Sequence, residues 1–133
     1  MTQDRATLPQ LLSKLAAIQL RFPGPKDKAD AWKPALTAVS AKCQLIIQFT
    51  DTQIPLFKES NELYSAIAEA RKRAIELRLL CRQTIRVKNP IALAKRLGDI
   101  RMGYSELGSN LSSICLLTEP SLAPTVELVL VTA

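Results

Sequence analysis

The chain has 133 residues, 47 % of them hydrophobic and only 5 % aromatic, with four glycines, three cysteines and no histidine. That size and composition fit one helical domain with a real core and argue against a disordered or all-β chain. Without histidine there is no Ser-His-Asp or Cys-His relay, no His-based zinc or di-iron site and no histidine-dependent RNase centre. No apolar run approaches the roughly 20 residues of a membrane span, and the N-terminus lacks a signal-peptide core, so a cytoplasmic protein is expected. Cys43, Cys81 and Cys115 are scattered, with no CxxC pair, and are expected to be buried free thiols. The net charge of +6 is unevenly placed. Between Arg71 and Arg101 lie ten basic and two acidic residues, a net +8 that leaves −2 for the remainder.

In chain order, Thr7 offers a cap with Pro9 in the first turn, and Leu8, Leu11, Leu12, Leu15, Ile18 and Phe22 form one stripe. The first helix is therefore expected over about 8–21, ended by Pro23-Gly24-Pro25. A second begins near Asp30, or at Pro34 in its first turn, and buries Trp32, Leu36, Val39, Cys43, Ile46 and Phe49. Thr50-Asp51-Thr52 closes it and caps the third helix, which takes Pro55 in its first turn and runs to about Val87. In that helix Leu63, Ile67, Ala70, Ala74, Leu77, Cys81 and Thr84 alternate at spacings of four and three. Leu93, Leu97, Ile100, Tyr104, Leu107, Leu111 and Ile114 repeat the pattern in the fourth. Two such seams joined through Asn89-Pro90, a cap followed by proline at the first helical position, predict an antiparallel pair. The fold class expected is all-α: an antiparallel up-down four-helix bundle over 1–118 with a short apolar C-terminal segment, 119–133. Thr125 to Thr132 (TVELVLVT) reads as a strand able to dock on Leu79 and Leu80 or on a neighbouring subunit.

Glu62, Glu69 and Glu76 recur every seven residues opposite the third helix's seam, where a solvated, ion-paired face is expected and no metal site. Glu69 stands four before Arg73 in the favourable orientation for a helical pair. Gly98, Gly103 and Gly108 each cost the fourth helix about 0.5–1 kcal/mol relative to alanine. Close approach of a neighbouring backbone, in this chain or another copy, would explain them. Their spacing of five is no phosphate fingerprint.

Arg71, Arg78, Arg82 and Arg86 fall within roughly 80° of one another at about 100° per residue, beside the apolar seam. Guanidinium pairs of N–H donors match phosphate geometry. Lys88, Lys95 and Arg96 extend the positive field around the turn, and the free N–H groups opening the fourth helix offer a further anion site. The helix dipole accounts for Arg82 and Arg86 but not for Lys95 and Arg96. These seven residues are the candidate site, with RNA or DNA backbone as ligand. No aromatic side chain interleaves the stripe, so base-specific reading is not expected. Neither a metal, a cofactor nor a catalytic residue is expected.

Three strings bear on family: Leu20-Arg21-Phe22-Pro23, Ser60-Asn61-Glu62-Leu63-Tyr64 and Leu97-Gly98-Asp99-Ile100-Arg101-Met102-Gly103. Through them, 8–117 resembles the small basic four-helix-bundle family of ribosomal intervening-sequence proteins and diversity-generating-retroelement accessory proteins. Tyr104-Ser105-Glu106 and the apolar tail depart from that pattern. The resemblance implies a homo-oligomeric bundle, a pentamer with a basic channel, binding RNA or DNA beside a reverse transcriptase or another nucleic-acid enzyme. The function expected is a non-enzymatic accessory subunit. The other reading is an adaptor that uses the fourth helix and the tail for protein contacts.

Overall fold

The structure, a computed structural model, describes residues 8–22, 31–58 and 61–118. Thr7, Pro23-Gly24-Pro25 and the apolar segment 119–133 lie outside the described residues. Among those described there are four helices and no strand: α1 Leu8–Ala17, α2 Trp32–Gln53, α3 Glu62–Thr84 and α4 Pro90–Thr118. The all-α bundle expected from the periodicity is the fold observed.

Helix α3 lies between α2 and α4 and packs along both, while the short α1 leans on α2. A cleft at one end joins Trp32 and Leu36 of α2 to Thr84 and Leu93, and a shallow hollow at the other joins Glu62 to Leu117. The start of α3 therefore meets the end of α4, and successive long helices run antiparallel. Both apolar seams turn inward. Ile67, Ala70, Ala74, Leu77, Cys81 and Thr84 are buried against Leu97, Ile100, Tyr104, Leu107, Leu111 and Ile114, with Leu63 and Leu93 half-buried at the ends. Leu8, Leu11, Leu12 and Leu15 of α1, with Leu36, Val39, Cys43, Ile46 and Phe49 of α2, complete the core.

Four boundaries differ from expectation; one is the end of α3 at Thr84 and not about Val87, where the Arg86 and Val87 N–H groups donate three residues back and tighten the chain into the turn. Helix α1 ends at Ala17, where the Ile18 N–H donates to the Leu15 carbonyl and tightens the last turn. Phe22 reaches the core edge from the following segment, 5.8 Å from the Trp32 ring and 5.7 Å from Tyr104. Helix α2 continues to Gln53, because the Thr50 and Thr52 hydroxyls donate back to Ile47 and Phe49 carbonyls instead of capping a new element. Pro55 sits in a 3₁₀ turn, Ile54–Leu56, so α3 starts later than expected. Its cap is Asn61, whose side-chain oxygen accepts from the Leu63 N–H at 2.9 Å.

The glycines of α4 divide. A Cβ on Gly103 would sit 3.2 Å from Leu77 Cδ1, so the neighbour that comes close there is a side chain of α3 and not the backbone expected. Gly108 is buried. Gly98 is exposed with nothing within 4 Å of such a Cβ, and the packing of the described chain gives it no reason.

Candidate nucleic-acid interface

The α3–α4 turn is built as the sequence implies. Asn89 caps α4, its Oδ1 accepting from the Ile91 and Ala92 N–H groups at 2.9 and 3.2 Å. The Leu93 N–H donates to the Asn89 carbonyl, and Pro90 has no N–H to offer. The first turn of α4 is thus satisfied from within, and the backbone anion site expected there does not exist. Any anion at this end must be held by side chains.

The seven candidate residues do not form one uninterrupted row. Arg71 is half-buried, and its Nε donates to Asp51 Oδ1 of α2 at 2.6 Å. Arg78 is half-buried on the same side of α3, close enough to the Cys43 thiol of α2 to offset in part the rise that burial imposes on it. Arg82, Arg86 and Lys88 are exposed where α3 ends and the turn begins. Lys95 is exposed and Arg96 half-buried on α4. Among the described residues Arg82, Arg86, Lys88, Lys95 and Arg96 make no ion pair. The stripe is therefore a partnered guanidinium at mid-helix leading to unpartnered cations at the turn.

On the other side of α3 the electrostatics reverse. Arg73 bonds to Glu106 of α4 and lies 3.3 Å from Glu69, the pair expected at a spacing of four. Glu76, Asp99 and Glu106 line the groove between α3 and α4 with Leu77, Leu80 and Met102. Glu62 and Glu76 are exposed, as a solvated face requires.

Two contributions were missed from the sequence. The cleft at the turn, about 310 Å³, is lined by Trp32 and Lys33 of α2 as well as by Arg86 and Lys88. An aromatic ring thus stands beside the basic residues after all, brought there by the antiparallel course of α2. Arg101 also lies over the Phe22 and Trp32 rings, 5.1 and 5.9 Å from their centroids, a cation–π contact with the ring that lines the cleft. The signal was present in outline, since an antiparallel α2–α3 pair must set the start of α2 beside the end of α3.

The three thiols are buried and form no disulfide. Burial pushes the Cys81 thiol up to about 12, and burial with neighbouring Cys81 raises Cys43 further than Arg78 pulls it back. Burial also raises the Tyr104 phenol and lowers Lys42. Among the described residues no group of His, Cys, Asp and Glu could hold a metal, and no helix is long and apolar enough to cross a membrane.

The chain matches no protein-family model, no curated protein and no solved structure.

Proposed function

We propose that the protein is a non-enzymatic, homo-oligomeric accessory subunit that grips the phosphate backbone of RNA or DNA through the α3–α4 turn. The observation that carries this reading is the contrast in partnering: Arg71 and Arg73 are held by carboxylates, while Arg82, Arg86, Lys88, Lys95 and Arg96 have none among the described residues. Arginine and lysine left unpaired in a segment of net +8 favour an external polyanion. The partner enzyme in this reading is a reverse transcriptase or another enzyme acting on nucleic acid. Fluorescence anisotropy of labelled RNA and duplex DNA at 50 and 200 mM salt tests it. Five phosphate contacts predict a loss of roughly a hundredfold or more across that range. No binding to either probe at 50 mM salt would sink the proposal.

A second reading, a structural adaptor, draws on the outward face of α4. Ile91, Met102 and Leu116 are 83 %, 64 % and 61 % exposed, and Gly98, Ser105 and Ser109 lie exposed between them. The Ser109 and Ser113 hydroxyls donate to carbonyls one turn back, so this face is smooth and short of free donors. Such a face suits another helix, from a second copy in the favoured reading or from a different protein in the adaptor reading. Light scattering separates them: a self-assembled species that Met102→Glu dissociates supports the first, and a monomer at all concentrations supports the second.

A further inference from the structure

Phosphate gripping alone leaves the Trp32 cleft unused. Its walls are chemically distinct. Trp32, Leu36, Val87 and Leu93 give it an apolar and aromatic interior, while Arg86, Lys88 and Lys33 stand around it. At about 310 Å³ it lies at the small end of the roughly 300–1,000 Å³ typical of ligand clefts. That suits a planar group of one or two rings, not a peptide or a lipid chain. The Phe22 ring and the Arg101 guanidinium pack on Trp32 and help to hold the indole in place.

We infer that this cleft receives one unpaired nucleobase of the bound nucleic acid, stacked on Trp32, with the adjoining phosphate held by Arg86 and Lys88. The inference rests on the nucleic-acid reading and adds to it a preference for single-stranded over fully paired substrate. Buried in a duplex, a base cannot reach the indole. In a single strand or an overhang it can, and an aromatic platform tolerates any base because each has a π-face. The sequence preference is accordingly weak and the strand preference strong.

Trp32 is the chain's one tryptophan, so its fluorescence reports on the cleft without a label. The full-length protein is titrated with a fifteen-nucleotide oligo-dT and with a fifteen-base-pair duplex. Anisotropy of end-labelled probe is read beside tryptophan emission. The expected result is binding of both probes, with emission quenched by more than half by oligo-dT and little changed by the duplex. Trp32→Phe keeps a stacking ring and is expected to bind oligo-dT within about threefold of the parent chain, whereas Trp32→Leu loses about tenfold for oligo-dT and nothing for duplex. Binding of oligo-dT with emission unchanged overturns the cleft while leaving phosphate gripping intact. Failure of both probes to bind overturns the nucleic-acid reading itself, and the cleft with it. Should Trp32→Leu fold poorly, by circular dichroism, the quenching of the parent chain decides alone.

Discussion

The two sides of α3 carry opposite solutions to one problem, how to place charge beside an apolar seam. Towards α2, the seam is flanked by arginines that among the described residues meet a carboxylate only once, at Asp51, and then run to the turn with no such partner. Towards α4, Arg73 is shared between Glu69 and Glu106, and Glu76 and Asp99 stand in the same groove. The ion pairs on both sides are about half exposed, so neither set adds much to stability; pairs open to solvent contribute roughly 0–1 kcal/mol. The difference lies in what they leave over. The α4 side neutralises its own cation, and the α2 side delivers a surplus of positive charge to the end of the molecule where Trp32 lies. A surplus with no internal partner is what an interface for a polyanion requires.

The largest effect should come from reversing the surplus. Arg82→Glu/Arg86→Glu is expected to weaken RNA or DNA binding by at least a hundredfold at 50 mM salt, about tenfold for each charge-assisted contact. Arg73→Gln, on the neutralised side, is expected to change affinity less than threefold. Equal losses from the two variants in an anisotropy titration would show that net charge, and not the α2 side, governs binding.

The glycines sharpen the contrast between packed and open surfaces. Gly103→Val must push against Leu77, whose Cδ1 already lies 3.2 Å from where a Cβ would be, and should cost about 1–3 kcal/mol in urea unfolding. Gly98→Ala meets nothing and should stabilise the monomer by about 0.5–1 kcal/mol by removing helix-interior glycine. If α4 packs on a second copy, the same Gly98→Ala will also weaken self-association in light scattering. A destabilised monomer would contradict the open surface at Gly98.

Burial raises two core thiols and the Tyr104 phenol alike, so stability is expected to fall at alkaline pH. Cys81 is raised from 9.0 to about 12 by burial, and Cys43 shifts the same way. A group whose folded pKa lies above its unfolded value contributes stability that is complete below the unfolded pKa and is lost as pH rises through the folded one. Stability should therefore fall from about pH 9 towards about pH 12. The double variant Cys43→Ala/Cys81→Ala should fall less steeply in urea titrations at pH 8 and 10.5, though from a lower start, since the buried thiols also fill the core. An identical slope for both chains would mean the thiols do not control it.

How much of this was legible follows the range of each interaction. The paired seams, the Asn89-Pro90 junction and the Glu69–Arg73 pair are local patterns, and all are found where the spacing puts them. Capping residues stand at 50–52, but Thr50 and Thr52 bond back to their own helix and Asp51 pairs with Arg71 of α3, while the working cap is Asn61, before the acidic first-turn residue Glu62. The partners of Arg71 and Arg73 lie 20 and 33 residues away and depend on helix register, which no short spacing encodes. Trp32 looked like one more core position at helical spacing. Only the antiparallel return of α3 turns it into the wall of a basic cleft.

The smallest effect asks how far along α3 the interface extends. Asp51→Asn removes the carboxylate that holds Arg71 at 2.6 Å and costs at most about 1 kcal/mol of stability, because both side chains are substantially exposed. If bound nucleic acid tracks the α2 side as far as Arg71, the freed guanidinium gains a phosphate, affinity rises about twofold to threefold, and the slope of log affinity against log salt steepens by about 0.7–0.9. If the interface ends at the turn, the slope stays unchanged although the net charge has risen by one. The slope discriminates better than the affinity. Removing a carboxylate raises the general positive field in either case, but only a new phosphate contact releases another counterion.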